Sequence, residues 1–298
     1  MTRKLEGRVA IVTGAGGGLG RSHALKLAGE GAKIVINDMD AEGANRVVEE
    51  IRSKNGEAIA CITSVTDEAG VAAMVDQAMQ TWGRIDILIN NAGILRDKSF
   101  AKMDVADFRL VVEVHLMGAV ICTKAVWEIM RAQKYGRIVM TTSSSGLFGN
   151  FGQSNYGAAK MALVGLMQTL ALEGEKHNIR VNSLAPTAAT QMTDGLLDPK
   201  ALEQLSPKHV SAGLIALVTE DAPTRAILTA GAGHFARAHV TLTDGAYIGA
   251  GDNASERVIA AWEDIGDRRG SIVPDYGFTQ FERELASAKG ATAVAAEG

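Results

Sequence analysis

Seven short runs rich in β-branched and aliphatic residues, VAIVT, KIVIND, EAIACI, IDILIN, GRIVMT, IRVNSLA and RAILTA, recur along the chain. Longer stretches with apolar residues at helical spacing separate them. The runs are nearly continuous in apolar character, so a strand made from one must be covered on both faces. Strands alternating with helices describe βαβ units, and right-handed crossovers then place helices on both sides of a parallel sheet. The sequence therefore predicts an α/β protein with a doubly wound parallel sheet of about seven strands, formed by residues 1–250 as a single domain. Residues 251–298 are expected to form a C-terminal extension, with one helix near ASERVIAAWEDI and a frayed end at LASAKGATAVAAEG.

With 298 residues, 47% hydrophobic and 21% charged, the chain can bury a large core and is not a disordered or fibrous protein. A net charge of −4 argues against nucleic acid as the main partner. Cys61 and Cys122 each sit in an apolar pattern without a CxxC or Cys/His cluster, which predicts buried free thiols, a reducing compartment and no structural metal. The N-terminal MTRKLEGR precedes only a short apolar run, so neither a signal peptide nor a membrane span is expected, and the cytoplasm is the expected location. The long connection PTAATQMTDGLLDPKALEQLSP has the length of a lid or binding segment; its Met192, Leu196 and Leu197 suit an apolar substrate or the core.

Between the first strand and the first helix stands TGAGGGLG, where Gly14, Gly18, Leu19 and Gly20 form a candidate cofactor loop. Glycines there permit a tight turn and close approach of the backbone to a diphosphate, which the helix N-terminus then receives. No Lys-Ser or Lys-Thr follows the last glycine, so an NTPase loop is not expected. Asp38 ends the second strand about 20 residues further on, where a carboxylate can accept hydrogen bonds from an adenosine ribose and repel a 2′-phosphate. NAD is therefore favoured over NADP. The competing role for Asp38 is to cap the helix that starts near Ala41.

In SNYGAAK, four residues separate Tyr156 from Lys160, so both lie on one helix face. A fixed ammonium beside a phenol favours the phenolate and lowers the phenol pKa toward the range useful for general acid/base work.

The TG-xxx-G-x-G loop from Thr13, NNAG at Asn90 to Gly93, a serine thirteen positions before Tyr156, and the YxxxK itself together resemble the short-chain dehydrogenase/reductase family. The resemblance covers the whole catalytic domain. It implies a Rossmann-type sheet, a nicotinamide cofactor, hydride exchange at a secondary alcohol or ketone, and a homodimer or homotetramer. It casts Tyr156 as the acid/base, Lys160 as the group that lowers the phenol pKa and holds the nicotinamide ribose, and Ser143 as the hydrogen-bond partner of the reacting oxygen, with Ser144 and Ser145 as close competitors. It casts Asn91, Ala92 and Gly93 as the turn under the adenosine side of the cofactor, and Thr190 as a further cofactor contact. Two positions depart from the family pattern: Ser64-Val65 stands where many members carry Asp-Val against the adenine, and His115 stands where many carry an asparagine that props a proton-relay water. His115 is expected either to pack or to relay protons, in the latter case titrating near pH ~6.5 when unperturbed.

The stretches around NNAGILRDKSFAKM, VHLMG and KYGRIVMTTSSSGLFGNFGQSNYGAAK look like the (3R)-hydroxyacyl-CoA dehydrogenase part of peroxisomal multifunctional enzymes of type 2, whose members also oxidise 17β-hydroxysteroids. The expected substrate is thus a (3R)-3-hydroxyacyl-CoA. The alternatives are a hydroxysteroid or other bulky secondary alcohol and, more remotely, a dinucleotide-binding protein without catalysis. Arg96, Lys98 and Lys102 follow NNAG as candidate contacts for CoA phosphates, or as a solvated loop. No Ser-Lys-Leu ending is present.

Overall fold

A computed structural model describes residues 4–189 and 204–296, with side chains through residue 290. Thr190, Met192, Leu196 and Leu197, singled out above, lie outside the described residues. The chain divides into two compact units, Met1–Ala238 and His239–Gly298.

The first unit runs β1 (Val9–Thr13), α1 (Gly18–Gly29), β2 (Lys33–Asp38), α2 (Ala41–Arg52), β3 (Ala58–Ile62), α3 (Glu68–Trp82), β4 (Ile87–Asn90), α4 (Val105–Val112), a π-helical turn (Glu113–Met117), α5 (Gly118–Gln133), β5 (Gly136–Thr141), α6 (Ser144–Phe148), α7 (Ser154–Gly174), β6 (Ile179–Thr187), α8 (Pro207–Ala216), β7 (Ile227–Gly231) and β8 (His234–Ala238). Local chemistry fixes several ends. Asp40 caps α2 by accepting from the Glu42 amide at 3.1 Å, Asp67 caps α3 by accepting from the Gly70 amide at 3.1 Å, and Gly83 ends α3 in the left-handed region at φ 73°.

The sheet order is β3-β2-β1-β4-β5-β6-β7-β8, and every pair is parallel except β7 with β8. Alternate residues of each strand enter different cores, as the pleat requires. Ala10, Val12, Ile34 and Ile89 pack with Leu27 of α1 and Leu214 of α8, whereas Ile11, Val35, Leu88 and Ile138 pack with Met74 of α3, Val126 of α5 and Met167 of α7. This is the doubly wound Rossmann-type sheet expected from the sequence. Strand order reverses between β1 and β4, so the crevice for a ligand opens at the carboxyl ends of those two strands.

The sequence signal stops at seven strands because β8, HFARA, is exposed along nearly its whole length and has no buried face to register. Its hairpin is made by Ala232 and Gly233, both at positive φ (49° and 77°), as a two-residue turn requires.

The second unit contains a bridge between Leu242 and Ile272, α9 (Ala254–Ala260), α10 (Trp262–Ile265) and α11 (Phe278–Ala296). The single helix expected near ASERVIAAWEDI is thus two short ones, and the end expected to fray is helical through Ala296. Among the described residues no helix is long and apolar enough to cross a membrane.

Candidate active site

At the crevice, Thr13 ties β1 to the NNAG turn. Its hydroxyl donates to the Ile89 carbonyl at 3.2 Å and accepts from the Asn91 and Ala92 amides at 2.9 and 3.0 Å. Asn91 returns its carboxamide to the Thr13 and Gly14 carbonyls at 2.9 and 3.1 Å. The glycines follow from this closeness: a Cβ on Gly14 would lie 2.8 Å from Ala92 Cα, and one on Gly20 would lie 2.0 Å from the Gly14 carbonyl oxygen. Gly17 and Gly18 are instead exposed, α1 has no side-chain cap, and a Cβ on Gly17 would meet nothing within 4 Å. An open helix N-terminus of this kind fits a diphosphate, with Leu19 in its first turn.

Asp38 closes the same loop. Its carboxylate accepts from the Gly16 amide at 2.8 Å and from the Asp40 amide at 3.0 Å, while Asp40, not Asp38, caps α2. Ser64 shares a 2.8 Å hydrogen bond with the Thr66 hydroxyl and accepts from the Thr66 amide at 3.2 Å. Val65 is buried, and a Cβ on Gly118 would come within 2.5 Å of it.

The serine run resolves by position. Ser143 is buried and opens α6, accepting from the Ser145 amide at 3.1 Å; Ser144 is exposed, and the Ser145 hydroxyl donates to Gln153 Oε1 at 2.8 Å. It is Ser143 that faces the Tyr156 phenol and favours its ionised form. Lys160 is buried, donates from Nζ to the Thr141 carbonyl at 2.6 Å, and stands 5.5 Å from the centre of the Tyr156 ring.

The expected lowering of the phenol pKa by Lys160 is not met in this structure. Loss of water on burial raises the Tyr156 pKa, the hydrogen bond with Ser143 lowers it by less, and the charge of Asp97 makes the smallest contribution, upward. Burial also brings Lys160 down to about 7, and its donor is turned to a backbone carbonyl. Spacing along a helix puts two groups on one face; it does not set how much water each keeps.

His115 sits in the π-helical turn between α4 and α5, and the extra residue in that turn aims it into the interior. Its ring meets Tyr156 edge-on, centroids 5.2 Å apart and planes at 89°. Nε2 lies 3.0 Å from the Ile94 amide and 2.8 Å from the Ile94 carbonyl, and the tautomer decides which of the two it bonds. A Cβ on Gly93 would lie 2.2 Å from His115 Cε1, so this ring adds its own demand for glycine in NNAG. A cavity of about 10 Å³ is lined by His115, Asn90, Lys160, Thr13, Val65 and Leu163, among others. That is room for about one water. His115 Nδ1 and Asn90 Oδ1 are both buried without a hydrogen-bond partner among the described residues.

The titration expected of His115 near its ordinary value is also corrected: burial, and then the charge of Lys160, take it down to about 3. The ring is thus neutral between pH 6 and 9. Any effect of His115 on turnover is therefore independent of pH between 6 and 9. His115→Asn is expected to keep more than about a third of kcat, and His115→Leu to lower it about tenfold at every pH in that range, as loss of one relay member permits. Equal, near-wild-type kcat values for both variants in a stopped-flow NADH assay would make His115 a packing residue.

The short chain dehydrogenase family model matches residues 8–200. The chain belongs to this family. A short-chain type dehydrogenase/reductase of Mycobacterium tuberculosis is 45% identical over 282 residues, 91% of this chain and 98% of that protein. The structure of full-length peroxisomal multifunctional enzyme type 2 from Drosophila melanogaster matches with a TM-score of 0.81 and 36% identity, covering 95% of this chain and 49% of the larger one. A 7α-hydroxysteroid dehydrogenase complexed with NADH and 7-oxo glycochenodeoxycholic acid matches with a TM-score of 0.72 and 32% identity, over 78% of this chain and 96% of its own. As a short-chain dehydrogenase, the protein is an oxidoreductase acting on hydroxyl groups of small molecules, with a nicotinamide cofactor.

In this short-chain dehydrogenase two of the three cations offered to CoA phosphates, Lys98 and Arg96, meet carboxylates of the protein. Lys98 pairs with Asp104 and Asp107 at 3.2 and 3.1 Å, and Arg96 lies 3.9 Å from Asp107. Sequence reasoning missed Thr13 as the tie described above, although the TG dipeptide was a visible signal. It also missed Asn155, fully buried, which accepts from the Tyr156 amide at 2.7 Å and donates to the Arg96 carbonyl at 3.0 Å; no periodicity marks it.

Proposed function

We propose that the protein is an NAD-dependent dehydrogenase of (3R)-3-hydroxyacyl-CoA thioesters, acting as a cytoplasmic homo-oligomer through its 1–250 segment. The observation that carries the reading is the convergence of Ser143 and Lys160 on Tyr156, with Lys160 lining one cavity with Thr13 of β1, and Asp38 closing the glycine loop that follows Thr13. Ser143 orients the hydroxyl oxygen, and Tyr156, once deprotonated, takes its proton while the carbinol hydrogen departs as a hydride, leaving a carbonyl. Gly14, Gly18, Leu19, Gly20, Asn91, Ala92 and Gly93 would hold NAD, which when bound would supply the hydride acceptor. Ser64, Val65 and Thr190 complete our cofactor set. In the reverse direction Tyr156 returns the proton to the forming alkoxide. Lys160 holds the cofactor ribose and, with His115 and the adjoining cavity, offers the proton a path away from a dry site. The acyl-CoA assignment draws on likeness to the multifunctional enzyme over 95% of the chain. The two free thiols suit a reducing compartment.

A hydroxysteroid substrate is the second reading, favoured by likeness to the 7α-hydroxysteroid dehydrogenase. The experiment that separates them is a turnover screen of 3-hydroxyacyl-CoA esters and hydroxysteroids, following NADH absorbance. Higher kcat/KM on any steroid than on every (3R)-acyl-CoA ester overturns the first reading. A non-catalytic binder has no use for three reacting groups brought together.

Asp38→Ala is expected to raise KM for NAD about tenfold and to narrow its advantage over NADP, because a like charge against the 2′-phosphate disappears together with two loop hydrogen bonds. An unchanged NAD:NADP ratio of kcat/KM would restrict Asp38 to shaping the loop.

A further inference from the structure

The first turn of α7, which carries Tyr156, is not capped in the ordinary way. Gln153 opens the helix, and its carbonyl takes the first helical bond, from the Gly157 amide at 2.7 Å. The amides before Gly157 have no acceptor inside the helix, and the opening side chain ordinarily serves that of Asn155 or Tyr156. Gln153 does not cap α7: its carboxamide accepts from the Ser145 hydroxyl at 2.8 Å and Asn150 Nδ2 at 3.0 Å, and donates to Asp97 Oδ2 at 2.6 Å. The Gly152 carbonyl, four residues before Tyr156, accepts from the Lys98 amide at 2.9 Å. Asn155 fills the gap. Its Oδ1 accepts from the Tyr156 amide at 2.7 Å, and its Nδ2 donates to the Arg96 carbonyl at 3.0 Å. The residue is fully buried, and a flipped carboxamide would set donor against donor and acceptor against acceptor, so one orientation is left to it.

We propose that Asn155 is a positioning residue that sets Tyr156 against the loop leading out of the NNAG turn. The role rests on Tyr156 being the acid/base. That loop is held at successive points: Asn91 and Ala92 on the Thr13 hydroxyl, Ile94 on His115 Nε2, and the Arg96 carbonyl on Asn155. One buried carboxamide therefore joins the backbone of the loop to the backbone of Tyr156. From the other side the Tyr156 ring meets His115 edge-on, and His115 bonds the same loop at Ile94. Amide and ring are both referred to one loop. Proton transfer needs the phenol within hydrogen-bond reach of the reacting oxygen, and a misplacement of about 1 Å can cost about 10²-fold in rate. Asn155 acts through its two bonds, by keeping the turn under Tyr156 from shifting.

The test is ketone reduction by NADH at pH 6 in wild type, Asn155→Leu and Asn155→Asp, on the ketone of the best alcohol in the turnover screen. NADH dissociation constants from fluorescence and melting curves are measured beside it. Asn155→Leu fills the space but makes neither bond, so kcat is expected to fall about 10- to 100-fold with the NADH constant within about twofold of wild type. Asn155→Asp keeps the shape, and burial holds its carboxyl protonated at pH 6; its hydroxyl donates to the Arg96 carbonyl and its other oxygen accepts from the Tyr156 amide. It is expected to bring kcat back to within about threefold of wild type. In the wild type the Tyr156 amide is expected to exchange with solvent at least about tenfold more slowly than an unbonded amide. A folded Asn155→Leu with wild-type kcat overturns the proposal, as does an Asn155→Asp no faster than Asn155→Leu. So does an equal loss of kcat and NADH affinity in Asn155→Leu, which a general loosening of packing would give. If Asn155→Leu does not fold, slow exchange of the Tyr156 amide upholds the proposal and rapid exchange overturns it. An active Tyr156→Phe removes the acid/base reading and this inference with it, whereas an inactive Tyr156→Phe beside a fully active Asn155→Leu removes this inference alone.

Discussion

Tyr156→Phe is expected to lose about 10²–10⁴-fold in kcat while binding NADH within about twofold of wild type, the range that general acid/base groups contribute. The variant keeps what the ring does as a solid object. The phenyl still meets His115 edge-on at 5.2 Å and still fills its place in the first turn of α7. Only the hydroxyl goes, and with it the one group placed to exchange a proton with an oxygen that Ser143 also faces. Stability should change by less than about 1 kcal/mol, because burial already disfavours the phenol's charged form and a buried hydroxyl contributes little net stability. Single-turnover kinetics with saturating cofactor, beside a melting curve, decide the matter. Retention of more than about a tenth of kcat in a folded variant would move the acid/base role to another residue.

Lys160→Met is expected to inactivate the enzyme and to stabilise it below neutral pH. Lys160 is buried, and its pKa falls from 10.5 to about 7 on folding. Below pH 7 the folded protein must hold a buried cation, while the unfolded chain carries the same charge in water. Between pH 7 and 10.5 the unfolded chain binds the extra proton, so this group's contribution to stability rises with pH across that window and its penalty is complete below it. The shift corresponds to roughly 3–5 kcal/mol. Losing the bond to the Thr141 carbonyl takes back about 1–2 kcal/mol. Lys160→Met should therefore melt roughly 5–10 °C above wild type at pH 6, and the gap should close by about pH 10. A lower melting temperature at pH 6, or a gap that does not depend on pH, would contradict the buried-cation account. Loss of activity beside gained stability is the trade expected where a site holds a group its surroundings disfavour.

What could be read from the chain is what repeats or sits close along it. The period of the apolar runs fixed the parallel, doubly wound sheet, since only burial on both faces asks for such strands. β8 escaped because an exposed edge strand has no such period. TGAGGGLG and NNAG were legible as turns, yet the reason for Gly20 is a carbonyl six residues away, and one reason for Gly93 is the ring of His115, twenty-two positions on. Three adjacent serines look alike in sequence; the start of α6 points Ser143 at the phenol, leaves Ser144 exposed and gives Ser145 to Gln153. Asp38 and Asp40 are both good cap residues two positions apart, and the return of the glycine loop decides that Asp38 binds the loop and Asp40 caps the helix.

The electrostatics of the site belonged wholly to the tertiary structure. YxxxK and VEVHLMG suggested a lowered phenol and a histidine titrating near neutrality, and the structure has the phenol raised, the lysine at about 7 and the histidine at about 3. Spacing along a helix determines which side chains share a face. How much water each one loses, and which distant carboxylate or carbonyl it meets instead, is set by elements the chain brings back from elsewhere, and desolvation outweighs the attraction of a neighbour four residues away.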